Sequence, residues 1–209
     1  MKTNRRIAES LLQSKAIILE PASPFNWASG WKSPIYCDNR KTLSFPEIRS
    51  SIRDAYVKCI HENFEIPDVI AGVATGAIAQ GALVADAMNL PFIYIRSSAK
   101  GHGMQNLIEG HYTAGQKVIV IEDLISTGGS SMKAVSALKE AGCEVTGMVA
   151  TFTYGFRVSE KTFAENDLKV RTLTDYETML EQAVESGYIE KEQLPLLQEW
   201  RLDPAGWTI

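Results

Sequence analysis

Two adjacent carboxylates, Glu122 and Asp123, stand between four β-branched residues, Val118, Ile119, Val120 and Ile121, and the run Leu124-Ile125-Ser126-Thr127-Gly128-Gly129-Ser130. Small hydroxyl residues and glycines in a row can turn backbone N–H groups toward a phosphate, above all where they lead into a helix N-terminus. Carboxylates beside a phosphate repel it. The two demands are compatible if one ligand carries a phosphate for Ser126 to Ser130 and a ribose diol or Mg²⁺ for Glu122 and Asp123. A second charged set lies upstream, where Arg96, Lys100 and His102 follow a short apolar run and Gly101 and Gly103 flank the histidine. Permanent cations suit a departing anion, a histidine adds a hydrogen bond to it, and glycine hinges suit a loop that closes over a site.

These residues need a scaffold. The four β-branched residues read as a strand buried on both faces, the kind found in parallel sheets, and this puts the acids at its carboxyl end, where open α/β sheets bind ligands. Around it the chain alternates strand, loop and helix. Residues 1–19 read as one helix retained in the chain, since Glu9 interrupts any signal-like apolar core. Residues 21–40, rich in Pro, Ser and Trp, read as short strands and turns forming a hood or entry segment. A helix is expected over 46–64, with Ile48, Ile52, Tyr56, Val57 and Ile60 on one stripe, closed by Pro67. A strand at 69–71, a turn at 72–76, a helix at 77–88 and a strand at 91–95 follow, the last ending at Arg96. No apolar pattern survives over 97–109, and a loop this long inside a compact domain is commonly functional. Beyond the central strand come a helix at 131–141 ended by Gly142, a strand at 145–152, and a helical tail over 175–207 broken at Pro195 and Pro204. Residues 153–174 receive no element. Without a repeat or a linker-like stretch, 1–209 reads as one α/β domain.

Composition excludes several classes. With 45% hydrophobic and 22% charged residues and a net charge of −4, the chain reads as globular, without a surface for nucleic acid or a membrane, and its expected compartment is the cytoplasm. Cys37, Cys59 and Cys143 are widely spaced and read as free thiols. His61, His102 and His111 have no metal-ligand spacing. Gly76 and Gly81 have P-loop spacing, but Ala82 and Leu83 follow instead of Lys and Ser or Thr, and no G-x-G-x-x-G opens a helix after a strand.

The string of apolar strand, two acids, two apolar residues and Ser-Thr-Gly-Gly-Ser closely resembles the fingerprint of the type I phosphoribosyltransferases, which bind 5-phosphoribosyl-1-pyrophosphate (PRPP). Ser29-Gly30-Trp31-Lys32-Ser33-Pro34 resembles a hood element of the orotate phosphoribosyltransferases, residues 96–110 resemble their mobile catalytic loop, and residues 196–207 are similar to the tail of some bacterial members. The resemblance implies a central, mainly parallel sheet flanked by helices, with a small hood built from about residues 1–45 and the carboxyl-terminal region. It also implies transfer of the phosphoribosyl group from PRPP to orotate with Mg²⁺, in a homodimer whose loop 97–109 is shared between subunits. Lys100, Arg96 and His102 are then the catalytic cations and touch PRPP, as do Glu122, Asp123, Leu124, Ile125, Ser126, Thr127, Gly128, Gly129 and Ser130, while Ser126 also meets orotate. No side chain is assigned as a direct metal ligand, Glu122 and Asp123 reaching Mg²⁺ through water or ribose. Trp27, Trp31 and Tyr36 are candidates to pack on the orotate ring, with burial in a core as the other reading. The chain departs from some members at Ala28 and at Thr75-Gly76, where they carry lysines, and Arg157 lies near the position of an arginine some of them use for orotate. A purine or xanthine phosphoribosyltransferase and a non-catalytic PRPP-sensing regulator are the alternatives, and the regulator lacks support in a chain without a basic surface.

Overall fold

Ile7, Ala8, Leu11 and Leu12 fall on one stripe, and the first helix, α1 (Thr3–Gln13), buries it. This helix is shorter than the sequence suggests. Lys15 turns the chain through a left-handed conformation (φ 53°), and Ile17–Leu19 becomes strand β1, paired antiparallel with β4 (Ile35–Cys37). Between them β2 (Phe25–Asn26) pairs antiparallel with β3 (Lys32–Ser33), so the hood consists of two small ribbons, with short strands over 21–40 as its Pro- and Ser-rich composition predicts and β1 added from the stretch expected to be helix. The computed structural model describes residues 2–27, 30–98 and 107–207.

Helix α2 (Pro46–Asn63) opens with proline in its first turn, where the missing N–H has no partner to lose, and buries Ile52, Ala55, Tyr56 and Ile60. Strand β5 (Val69–Val73) is buried throughout and runs two residues further than its apolar triplet indicates. Helix α3 (Ile78–Met88), β6 (Phe92–Ile95) and β7 (Ile108–Glu109) follow, then β8 (Lys117–Ile125), α4 (Gly129–Glu140) and β9 (Glu144–Thr153). Two elements that the sequence does not reveal come next, α5 (Arg157–Glu165) and β10 (Val170–Asp175). Helix α5 buries only Ser159 and Phe163, and β10 alternates half-exposed and exposed residues along its first part, so neither carries a strong apolar signal. The tail divides into α6 (Tyr176–Glu185) and α7 (Leu194–Leu202), and Pro195 starts α7 rather than breaking a helix.

Among the described residues the central sheet has six strands in the order β10-β9-β8-β5-β6-β7, parallel except for the β6–β7 pair. Both faces are covered. Ile70, Ile119, Ile121 and Val149 pack into one apolar cluster with α1, α2 and the hood, while Val69, Ala71, Val118, Val120, Met148 and Ala150 pack into another with α4. This division by alternate residues is the period of two that a doubly covered strand imposes. Trp200 of α7, fully buried, donates its indole N–H to the Lys32 carbonyl at 3.1 Å and meets Trp27, Tyr154, Phe156 and Tyr176. The carboxyl-terminal helix thereby holds the hood against the carboxyl end of the sheet. Among the described residues no helix is long and apolar enough to cross a membrane, and the three cysteines are free.

Candidate active site

Strand β8 does not stop before the acids, as its four β-branched residues suggest, but carries them within it. Pairing with β9 continues through Glu122 with Ala150, Leu124 with Phe152 and Ile125 with Thr153. Ser126 and Thr127 then turn the chain, and Gly128 caps α4 in the left-handed region (φ 82°). A Cβ on Gly128 would also stand 3.0 Å from the Phe163 ring, so backbone conformation and packing both require glycine here. The first turn of α4 has no side-chain cap and no acidic residue. Its orphan N–H groups and positive dipole end therefore remain to meet an anion.

The two acids part company at once. Glu122 is 3% exposed; one carboxylate oxygen accepts from Ser131 Oγ at 2.7 Å and the other from the Asp123 N–H at 3.1 Å. Its carbonyl accepts from the buried Tyr56 hydroxyl at 2.6 Å, and that hydroxyl also lies 2.6 Å from Thr151 Oγ1. Asp123 is half-buried, not the exposed strand-end acid its position suggests. Its carbonyl accepts from Asn39 Nδ2 at 2.6 Å, and its carboxylate lies directly over Gly76. A Cβ on Gly76 would come within 1.9 Å of Asp123 Oδ2, so a side chain at 76 would oblige the Asp123 carboxylate to move.

Burial, reinforced by the Asp123 charge, pushes the Glu122 carboxyl well above the ordinary carboxylate range, and burial raises Asp123 as well. The folded state then binds protons that the unfolded chain releases. Their contribution to stability is greatest below the unfolded value, about 4, and falls as pH rises through the raised folded values. Glu122→Gln removes the ionisable group and keeps a side-chain oxygen for Ser131. Its thermal midpoint is expected to gain on that of the parent progressively from pH 5 to pH 8, as calorimetry across buffers would show; a difference independent of pH would contradict the shift.

A cavity of about 340 Å³ opens beside the acids, lined by Asn26, Trp27, Tyr36 and Cys37 from the hood and by Leu124, Ser126 and Tyr154 from the ends of β8 and β9. The Cys37 thiol donates to Asn39 Oδ1 at 3.4 Å, and burial holds it protonated by raising its pKa well up. Trp27 and Tyr36 thus meet Ser126 at one cavity. Trp31 does not line it: it stacks on Trp27, ring centroids 6.3 Å apart, and lines a separate cavity of about 290 Å³ with Arg157 and Arg201. Arg157, exposed at the start of α5, is therefore not brought beside Ser126.

Arg96 ends β6, its backbone N–H donating to the Leu107 carbonyl at 2.8 Å and its guanidinium 3.5 Å from Glu109. It lines a cleft of about 140 Å³ together with Ala74, Ser97, Ser130 and Lys133. A strand end, the turn after β5 and the phosphate loop thus converge at one cleft. Lys133 was not apparent from the sequence, although it follows Ser130 by three residues and so shares its helix face. Lys100 and His102 lie outside the described residues. Among the described residues no group of three or more His, Cys, Asp or Glu side chains forms a metal cage.

Sheet, acid pair and glycine-hydroxyl loop together define a phosphoribosyltransferase domain, and the family model of that description, Phosphoribosyl transferase domain, matches residues 43–185. The chain is 60% identical over 203 residues to an orotate phosphoribosyltransferase of Bacteroides fragilis, covering 97% of this chain and 96% of the relative, and 57% identical over 210 residues to that of Porphyromonas gingivalis, covering both in full. The chain belongs to the orotate phosphoribosyltransferase family. Among solved structures, orotate phosphoribosyltransferase from Aeropyrum pernix superposes with TM-score 0.76 at 25% identity, covering 88% of this chain and 99% of that one. UMP synthase of Leishmania donovani superposes with TM-score 0.82 at 26% identity, covering 96% of this chain but 42% of that longer protein. The fold is the type I phosphoribosyltransferase fold, as the sequence led us to expect.

Proposed function

We propose that this chain transfers the 5-phosphoribosyl group of PRPP to orotate, releasing pyrophosphate and forming orotidine 5′-monophosphate, in de novo synthesis of UMP. The observation that carries the reading is the position of Ser126, which begins the phosphate loop and also lines the aromatic cavity under the hood. One ligand that joins a flat ring to a phosphate through a sugar spans both. Ser126, Thr127, Gly128, Gly129 and Ser130 hold the 5-phosphate, with the Leu124 and Ile125 backbone alongside, and Asp123 faces the ribose hydroxyls. Glu122 acts from behind, orienting Asp123 and the first turn of α4 through its bonds to the Asp123 N–H and to Ser131. The acids and the phosphate need not compete for the same space.

In the reaction the bond from ribose C1 to the pyrophosphate oxygen breaks and the bond from C1 to orotate N1 forms, N1 arriving already ionised. The transition state needs the leaving group's charge neutralised, a task for preorganised cations. Arg96, Lys100 and His102 take this role, with Arg96 opening onto the cleft that also holds Ser130. Mg²⁺ fits this site as an ion carried by the substrate: Glu122 has both oxygens engaged, which leaves Asp123 and the oxygens of PRPP, and Mg²⁺ is commonly held by a carboxylate or two plus substrate phosphates and water. When bound it neutralises pyrophosphate charge. We further propose that residues 1–209 act as one unit, in a cytoplasmic homodimer whose loop 97–109 closes over the neighbour's site.

The test is a spectrophotometric assay with PRPP, Mg²⁺ and, in turn, orotate, uracil, adenine, hypoxanthine and xanthine. Turnover with orotate alone is expected. Turnover with a purine in its place would move the chain to another branch of the family, and no turnover with any base would favour a PRPP sensor.

A further inference from the structure

Tyr154 is 1% exposed as a residue, and its hydroxyl, which has no hydrogen-bond partner among the described residues, opens onto the cavity and is not sealed in the core. Buried tyrosines usually satisfy that group, as Tyr56 and Tyr176 do here, Tyr176 by donating to the Leu197 carbonyl at 3.0 Å. Tyr154 is also held in place. Its ring meets Trp27, Phe152, Phe156, Tyr176 and Trp200, with centroids 5.2 to 6.2 Å away. Such packing leaves no freedom to seek a partner elsewhere. The side chain lines the 340 Å³ cavity, and the groups whose charge its hydroxyl feels include the Cys37 thiol and the Tyr36 hydroxyl, which line the same cavity. Burial, then those neighbours, raises its pKa well above that of an ordinary phenol, so at neutral pH the group carries its proton.

We propose that Tyr154 reads the base: its hydroxyl donates a hydrogen bond to an oxygen of the pyrimidine held between the hood and the end of β8. The inference rests on the orotate reading above and adds a residue to it. The cavity has no cationic side chain among its lining residues, which are Asn26, Trp27, Tyr36, Cys37, Leu124, Ser126 and Tyr154. Recognition of an oxygen-rich ring there falls to neutral donors and aromatic faces. Of the donors, Tyr36 is partly open to solvent (37% exposed) and the Cys37 thiol already serves Asn39. Tyr154 is the rigidly packed hydroxyl in this lining whose donor is unspent, and a donor fixed in advance binds without the cost of ordering it.

Tyr154→Phe tests this, because it removes the hydroxyl and keeps the ring with its five aromatic neighbours. The KM for orotate, and the Kd for orotidine 5′-monophosphate measured by titration, are expected to rise about 10- to 100-fold, as for loss of a hydrogen bond to a charged ligand. The KM for PRPP should stay within about 2-fold, since the cavity and the phosphate loop are separate contacts. The thermal midpoint of the free protein should not fall, because a hydroxyl that bonds to no protein group contributes little to the fold. Unchanged orotate and nucleotide binding in a variant of parental stability would overturn the role and leave the enzyme reading intact. A parent protein that neither turns over nor binds orotate would instead overturn that reading, and this inference with it.

Discussion

Lys100→Ala is expected to lower kcat by about 10²- to 10³-fold while moving the KM for orotate by less than about 3-fold. The reasoning is differential binding. A cation that meets the pyrophosphate only as its charge develops stabilises the transition state more than the ground state, and its removal appears in kcat. Lys100 belongs to the charged set that begins at Arg96, and Arg96 opens onto the cleft with Ser130 and Lys133. Arg96 lies at the end of β6, 3.5 Å from Glu109 of β7, whereas Lys100 and His102 belong to the stretch proposed to close, and of these two lysine is the permanent cation. Steady-state kinetics with both substrates varied would resolve the effect. A change confined to KM would make Lys100 a residue that binds the ground state.

A mixture of two crippled proteins is expected to regain activity if the loop acts across a dimer. Asp123→Asn is a suitable partner lesion, because asparagine has nearly the shape of aspartate and leaves the Asn39 bond to the residue 123 carbonyl and the space over Gly76 undisturbed. It removes the charge proposed to face the ribose. In a mixed dimer of Lys100→Ala and Asp123→Asn chains, loops acting in trans place both lesions in one site and leave the other with an intact Asp123 and an intact Lys100. Random reassociation of equal amounts makes half of the dimers mixed, each with one working site of two, so activity should recover to roughly a quarter of the parent value. Loops acting in cis put one lesion in every site, and mixing restores nothing. Exchange is verified with differently tagged chains. Parental activity in Asp123→Asn alone, at limiting PRPP, would remove Asp123 from ribose recognition.

Much of this site is legible along the chain because its central part is contiguous. A phosphate loop needs a strand to deliver it, small residues to bring the backbone close and a helix N-terminus behind, and residues 118–131 carry all three in order. The core strands are equally readable, since burial on both faces leaves an unbroken apolar run at β5 and through the first half of β8. The short strands β2, β3 and β4 of the hood follow from proline, serine and tryptophan at a density no helix accepts, whereas β1 hides in a stretch that reads as helix.

Other features depend on partners that sequence spacing does not identify. Strand β8 continues through the acids because β9 goes on pairing with it, and an apolar run cannot register that. Adjacent acids look alike in one dimension, but the alternation of side chains sends Glu122 to Ser131 on α4 and Asp123 to Gly76 beyond β5. Helix α5 and strand β10 escape notice because covering one flank of the sheet takes few apolar residues from either. The cavity proposed for the base is wholly a product of tertiary structure. Asn26, Trp27 and Tyr36 reach Ser126 and Tyr154 only because the hood folds over the carboxyl ends of β8 and β9 and Trp200, near the far end of the chain, packs beneath it. Local chemistry along the sequence determined where a phosphate could bind; long-range packing decided which ring could lie beside it, since a cavity is made by residues that only the fold brings together.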